Sequence, residues 1–447
     1  MNREDVERTI ALLEEIAADR TLLATLPDET RRALLIAAGR VSRPTRDETQ
    51  RMSKVFRRIN RAKRAAHDRA LVGESEIRVA RQAPVFVAPP QLVSGQETAR
   101  ELVKARNCYV CKAPYTRLHF FYDSMCPACA ELNYAKRFQS ADLSGKIAII
   151  TGARIKIGYQ AALMMLRAGA HVIVTTRFPR DAAQRYARES DFPKWKGRLE
   201  IHGLDLRHSP SVEEFARFMV STKERLDVLV NNAAQTVRRP AAFYAHLADV
   251  QENDPKALER VSRESDALFF PKGQIDADLQ QIDLRAVNSW RLTLSDVPSP
   301  EMLETQLVNA VAPFILCSKL KPLMLKVPSR DKHIVNVSAM EGQFARRTKT
   351  DKHPHTNMAK AALNMLTLTS APDYAKDGIF MNAVDTGWVT DEDPVVHAKR
   401  KQEELDFQPP LDIVDGAARV CDPFFHGMLT GEHAYGKFFK DYRETAW

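Results

Sequence analysis

Two Cys-x-x-Cys pairs, Cys108 with Cys111 and Cys126 with Cys129, are separated by fourteen residues. Each pair can present two thiolates from one turn of chain. Two such turns supply the four ligands of a closed tetrahedral zinc site. Four thiolates leave no open coordination position, so the metal expected here is structural. The other two cysteines, Cys317 and Cys421, stand alone. Paired thiols at this spacing in an intracellular chain favour metal over disulfides. His119, between the pairs, reads as a packing or surface residue rather than a further ligand. The apolar and aromatic residues 115–122 suggest a short hairpin.

A second group of residues suits phosphate chemistry. Residues 146–169 read KIAIITGARIKIGYQAALMMLRAG. A β-branched run ends at Thr151-Gly152, a turn follows, and Gly158 opens a segment with apolar residues at helical spacing. Strand, tight loop and helix form the first unit of a dinucleotide-binding sheet, with the helix N-terminus aimed at a pyrophosphate. Lys156 stands where such loops carry a second glycine. It either contacts phosphate or lies at the surface of a looser loop. The second strand ends in Val174-Thr175-Thr176-Arg177. A reader of NAD places a carboxylate there for the ribose 2′-hydroxyl, whereas Arg177 attracts a 2′-phosphate and Arg154 adds charge nearby. The pattern predicts NADP over NAD. The plainer alternative is that Arg177 meets only solvent.

These groups need a scaffold. The chain has 447 residues, 44% of them hydrophobic, and a formal net charge of +9. Residues 1–83 read as a helical region, 84–98 as a linker and 99–138 as the zinc ribbon. Residues 139–447 read as a Rossmann-like α/β domain, a doubly wound parallel sheet, with an insertion at 236–300. Strands are expected at 147–151, 171–175, 199–204, 228–231, 333–337 and 380–384. Thr45 and Glu48 form a capping box for a basic helix carrying Arg51, Lys54, Arg57, Arg58, Arg61, Lys63 and Arg64. Met52, Val55, Phe56 and Ile59 make its other face. Such a helix can dock on nucleic acid, anionic lipid or a protein partner, or simply be a solvated face. The N-terminal residues lack a signal-peptide core and no run of 18 apolar residues occurs, so a soluble, cytoplasmic protein without a membrane span is expected.

Residues 143–447 resemble the short-chain dehydrogenase/reductases in motif order. Thr151-Gly152-Ala153 with Gly158 match the glycine-rich loop, and Asp205 in Gly-Leu-Asp-Leu matches the adenine contact. Asn231-Asn232-Ala233-Ala234 resembles the turn after the fourth strand, Asn309 the proton-relay asparagine, and Lys360 the lysine that binds ribose hydroxyls. The run at 382–389, with Thr386 in a proline's place before Gly387, resembles the loop after the sixth strand. The resemblance implies a cofactor site built from Thr151, Gly152, Arg154, Lys156, Ile157, Gly158, Arg177, Asp205, Leu206, Asn232, Ala233, Lys360, Thr386 and Gly387. It also implies a small-molecule substrate and a homo-oligomer paired through the helices of Asn309 and Lys360.

The catalytic positions depart from the family. A tyrosine belongs four residues before the lysine, and Thr356 stands there. A threonine hydroxyl does not transfer a proton unaided near neutral pH. Three residues before Gly342, where a serine is expected, lies Ala339. Ser338 is adjacent, but strand alternation sends it to the other side. His353 and His355 flank Pro354 just before Thr356. A His355–Thr356 pair could move a proton beside Asn309 and Lys360. Alternatively the turn caps a helix, with Thr356 as N-cap. Glu341 and Asp385 could approach the same pocket. Two readings follow: an NADP(H)-dependent oxidoreductase on carbonyl or alcohol groups with a non-standard site, or a lapsed nucleotide-binding scaffold that recruits a protein or nucleic acid.

Overall fold

The computed structural model describes residues 2–91, 100–240, 243–244, 246–247, 269–271, 273–346 and 348–447. Parts of the expected linker and insertion therefore lie outside the described residues. The chain divides into two compact units, Met1–Asp68 and Arg69–Trp447.

The first unit is helical. Helices α1 (Arg3–Ala18) and α2 (Asp28–Ser42) contain no buried residue. Helix α3 (Arg46–Gly73) starts at the expected capping box: Thr45 N–H donates to Glu48 Oε2 at 2.8 Å and Glu48 N–H to Thr45 Oγ1 at 3.3 Å. Its Met52, Val55, Phe56 and Ile59 are exposed.

The second unit opens with α4 (Glu76–Ala80) and the antiparallel pair β1 (Glu101–Asn107) and β2 (Pro114–Arg117). The hairpin expected within 115–122 is corrected here. Its second strand is β2, and the partner is β1, whose alternation of side chains was too polar to read as a strand. Helix α5 (Pro127–Arg137) follows, with Cys126 as N-cap.

The main sheet is β10-β9-β8-β7-β6-β3-β4-β5. Its strands are β3 (Ile147–Thr151), β4 (His171–Thr176), β5 (Leu199–Gly203), β6 (Val228–Asn231), β7 (Lys332–Ser338), β8 (Ile379–Asp385), β9 (Phe438–Lys440) and β10 (Arg443–Thr445). All neighbours pair in parallel except β9 with β10. The order reverses between β3 and β6, and such a switch point opens a crevice at the strands' carboxyl ends. Alternation sorts the core. Ala148 and Ile150 pack on α6 (Lys156–Arg167) and α14 (Ile413–Thr430), with Leu163, Leu166, Phe424 and Phe425. Ile149, Leu229 and Ile334 pack on α9 (Ser209–Thr222) and α11 (Ala312–Leu325), with Phe215, Leu316 and Leu320.

Between these elements lie α7 (Pro179–Ala187), the short α8 (Phe192–Trp195), α10 (Ser299–Gln306), α12 (Pro354–Lys376) and α13 (Val395–Leu405). Helix α10 continues through a π-helical turn, Leu307–Val311, into α11. The whole run, Ser299–Leu325, is long and apolar enough by composition to cross a membrane, but 56% of its apolar window is buried and it packs as a core helix.

A third core joins the ribbon to the Rossmann elements. Leu102, Tyr115, Phe121, Tyr122, Met125 and Tyr134 meet Val389, Leu411 and Ile413. Polar bolts reinforce it. Arg137 Nη1 reaches Asp412 at 2.7 Å and Asp415 at 2.9 Å, all three nearly inaccessible to water. Burial disfavours charge on Arg137, and the two carboxylates more than offset that and hold its pKa well above the ordinary value. Tyr122 Oη donates to Asp415, and Arg78 pairs with Asp123 at 2.7 Å and Asp406 at 2.8 Å.

Candidate functional site

The four thiols converge as their spacing predicts. The sulfurs of Cys108, Cys111, Cys126 and Cys129 lie within 4.8 Å of one another, and Cys111 and Cys126 are 3.7 Å apart. A tetrahedron of ~2.3 Å zinc–sulfur bonds needs sulfurs about 3.8 Å apart, so the cluster fits that ion. Local backbone builds it. Cys108 directly follows β1, Lys112 takes the left-handed conformation at φ 64° to turn the first knuckle, and the second knuckle is the first turn of α5. Burial raises the thiol pKa of both Cys126 and Cys129 in that turn. An Ala113 N–H to sulfur, with the neighbouring thiols, draws Cys111 down to about 7. His119 is not part of the cluster. Its Nδ1 accepts from Phe121 N–H at 3.1 Å in a buried aromatic nest.

The crevice at the switch point is a cleft of about 500 Å³. Gly152, Arg154, Lys156, Ile157, Gly158, Arg177, Asp205, Leu206, Asn232 and Ala233 line it. Two glycines are required by space. A Cβ on Gly158 would lie 2.3 Å from Asn232 Nδ2 and 2.6 Å from Gly152 O, and Gly152 has φ +67° with Ala233 Cα 2.9 Å from an added Cβ. Thr151 lies beneath the cleft, its Oγ1 accepting from Asn232 and Ala233 N–H at 3.0 Å each. Lys156 keeps the left-handed conformation, φ 54°, that a glycine would take there. The substitution therefore retains the turn at a cost of about 1 kcal/mol.

The end of the cleft beside β4 and β5 is cationic and aromatic. Arg177 follows β4 and donates from Nη2 to Tyr244 Oη at 2.8 Å, its guanidinium 4.7 Å from that ring's centroid. Arg154 is buried between Asp181 and Gln280, at 2.7 Å from each. Asp205 is clasped by Arg207, with Nη2 to Oδ2 at 2.6 Å. Burial alone would raise its pKa, but the bonds from Arg207 hold it below the usual value.

The expected catalytic residues lie outside the cleft lining. Asn309 sits in the π-helical turn and locks Gln235: its Oδ1 accepts from Gln235 N–H at 2.7 Å and its Nδ2 donates to Gln235 O at 3.1 Å. Such turns recur at functional sites. Lys360 is buried and donates to Val337 O at 2.8 Å. Burial pushes its pKa down to about 8 against the pull of Glu341 and Asp385. Ser338 is buried and donates to Asn364 of α12, one helical turn beyond Lys360. Asp385 accepts from Met340 N–H at 2.8 Å and Gly387 N–H at 2.7 Å, while Glu341 pairs with Arg346 at 2.8 Å.

Thr356 is not an N-cap. Helix α12 opens at Pro354, behind a left-handed His353 stacked 3.9 Å from Trp290, so Thr356 falls in the first turn. Its Oγ1 is buried without a hydrogen-bond partner among the described residues, as is His355 Nδ1. The other His355 nitrogen faces Glu301 Oε1 of α10 at 3.9 Å. Neither residue lines the cleft, nor do Asn309, Lys360, Thr386 and Gly387. Gly387 instead packs against Leu411 and Tyr109 of the ribbon.

The structure adds residues that local sequence did not signal. Asp276, Gln280 and Gln281 of the insertion line the cleft, as do Thr390, Asp391 and Glu392 beyond β8. They arrive through long connections, and no short motif marks them.

A short chain dehydrogenase family model matches residues 146–258, and an enoyl-(acyl carrier protein) reductase model matches 273–409. Uncharacterized protein R665 of Acanthamoeba polyphaga mimivirus is 31% identical over 379 residues, covering 79% of this chain and 78% of that one. Retinol dehydrogenase 13 of Mus musculus is 37% identical over 94 residues, 21% of this chain and 28% of its own. WW domain-containing oxidoreductase of Danio rerio is 42% identical over 94 residues, 21% and 22% of the two chains. This chain thus spans about a quarter of those two relatives. A Burkholderia cenocepacia short chain dehydrogenase solved in complex with NADP aligns at a TM-score of 0.44 and 20% identity, over 63% of this chain and 91% of that one. The chain belongs to the short-chain dehydrogenase/reductase family, an oxidoreductase family, and adds to it N-terminal helices and a four-cysteine cluster.

Proposed function

We propose that the protein is an NADP(H)-dependent oxidoreductase acting on a carbonyl or alcohol, with a structural zinc ion in its ribbon. The observation that carries the cofactor choice is Arg177, which follows β4 and lines the cleft where an NAD reader places a carboxylate. Arg154, Lys156 and Asp205 line the same cleft, and Gly152 and Gly158 let the loop pack closely on Asn232 and Ala233. Gly387 packs behind the loop against Leu411 and Tyr109, and Thr386 precedes it.

NADP(H), when bound, supplies the hydride. This chain's residues must then handle one proton on the substrate oxygen. Lys360 is the best-tuned group, because a pKa of about 8 leaves both protonation states populated near neutral pH. Asn309 holds the Gln235 backbone at the cleft, and Thr356, one helical turn before Lys360, offers a hydroxyl with no hydrogen-bond partner among the described residues. His355 with Glu301 is the competing proton carrier.

Titration of NADPH and NADH into the protein tests the cofactor, with NADPH expected to bind at least tenfold tighter. Equal or tighter NADH binding removes the Arg177 argument. NADPH oxidation over a panel of carbonyl compounds tests the chemistry. Lys360→Met should abolish turnover, and His355→Ala should retain most of it. No turnover with any carbonyl, together with tight NADPH binding, favours the lapsed scaffold. That reading uses the exposed basic face of α3 as the arm for a nucleic-acid or protein partner. A homo-oligomer is also proposed, through the exposed Phe314 of α11 and Met358 and Met365 of α12.

A further inference from the structure

The insertion carries a short hairpin, residues 274–283, closed by a bridge between Ile275 and Gln281 and by Asp276 N–H donating to Gln280 O at 2.8 Å. Its tip is docked beside the glycine-rich loop by three anchors. Arg154 Nη2 donates to Gln280 Oε1 at 2.7 Å. Arg185 donates to Asp278 O at 3.0 Å and Leu279 O at 3.2 Å. Phe86 N–H donates to Ala277 O at 2.9 Å. These anchors hold the backbone and one glutamine side chain.

The carboxylate of Asp278 is held differently. It faces Lys156 Nζ at 4.0 Å, a charge contact too long for a hydrogen bond, with side-chain exposures of 17% and 34%. Glu392, whose Oε1 accepts from Thr390 at 2.8 Å, and Asp276 add negative charge around the same ammonium. Lys156 stands in the loop's glycine position, at the first residue of α6, and lines the dinucleotide cleft. A lysine there would ordinarily strengthen attraction for phosphate. Here its charge is already countered by Glu392 from the loop beyond β8 and by Asp278 and Asp276 from the insertion.

We infer that the hairpin tip supplies a built-in counter-anion at the phosphate end of the cleft: Asp278, supported by Asp276 and Glu392, occupies Lys156 until a diphosphate takes it. This rests on the dinucleotide reading above. A diphosphate carries more charge and more acceptors than one carboxylate at 4.0 Å, so it wins the lysine once bound, but each binding event must first release the internal contact. The anchored backbone stays, and the exchange is confined to side chains. The insertion thereby sets dinucleotide affinity without touching the reacting end.

The experiment titrates NADPH, and separately inorganic pyrophosphate, into the full chain by calorimetry. Wild type is compared with Asp278→Asn, which keeps size and removes charge. Both ligands should bind Asp278→Asn about tenfold tighter. Asp278→Asn/Glu392→Gln should tighten them further, and Lys156→Met should weaken both. Unchanged or weaker binding in Asp278→Asn overturns the inference, since a purely architectural aspartate would lose affinity when altered. Failure of the dinucleotide reading looks different: NADPH then binds neither protein. Pyrophosphate decides in that case, tighter binding to the variant supporting the internal competitor and anything else overturning it.

Discussion

The thiol cluster and the dinucleotide cleft are built on opposite plans. The cluster takes its ligands from one stretch, 108–129, and each thiol is set by a neighbouring turn or helix start. The cleft gathers residues from the ends of β3, β4, β5 and β6, the insertion and the loop beyond β8. A four-ligand site cannot spare a member, and all four are present. The cleft divides its work among many contacts, and it accommodates Lys156 where glycine is usual while the neighbouring catalytic positions carry Ala339 and Thr356. Lys156 shows how: the backbone holds the left-handed turn and absorbs the strain, so the shape survives a change of side chain.

The sharpest way to break this contrast is at the cluster. Cys108→Ser should lower bound zinc to background by elemental analysis and lower the melting temperature by roughly 10 °C, since structural zinc contributes on the order of 10 kcal/mol of apparent binding energy. A variant that melts like wild type would show the cluster to be dispensable. In the cleft, Arg177→Asp should weaken NADPH about 30-fold, or ~2 kcal/mol, and leave NADH within threefold. Equal losses for both cofactors would assign Arg177 to folding.

Lys360 gives a pH test. Its folded pKa, about 8, lies below the ordinary lysine value near 10.5, so the unfolded chain binds more protons between those pH values. Stability should therefore rise with pH across that window, by up to about 3 kcal/mol, relative to Lys360→Met. Urea denaturation at pH 7.5 and pH 10 measures it, and parallel behaviour of the two proteins would deny the depressed pKa. The smallest effect is at Thr356. Thr356→Val keeps the shape and removes a buried hydroxyl that has no partner among the described residues. It should stabilise the protein by about 1 kcal/mol while abolishing any relay through that oxygen. A loss of stability would mean the hydroxyl is satisfied after all.

The sheet was legible because its central strands are buried on both faces, which forces continuous β-branched runs such as 147–151. The capping box of α3 follows from equally local rules. Strands β9 and β10 did not announce themselves, being three residues each and aligned by tertiary contacts such as β8 with β9. The packing of Gly387 against Leu411 and Tyr109 was also not legible, because the ribbon that supplies Tyr109 lies outside the motif. His355 was singled out for its chemistry, yet only packing decides that its ring faces α10.

The core that the ribbon shares with Val389, Leu411 and Ile413 has a practical consequence for taking the molecule apart. A chain cut to begin at Leu143 would leave that apolar face to water. It would also strip Asp412 and Asp415 of Arg137, leaving two carboxylates at the head of α14 with their interior cation gone. The oxidoreductase fold here is not a detachable module with an ornament in front. It is the larger share of a single folding transaction, and transplanting it requires carrying the ribbon along.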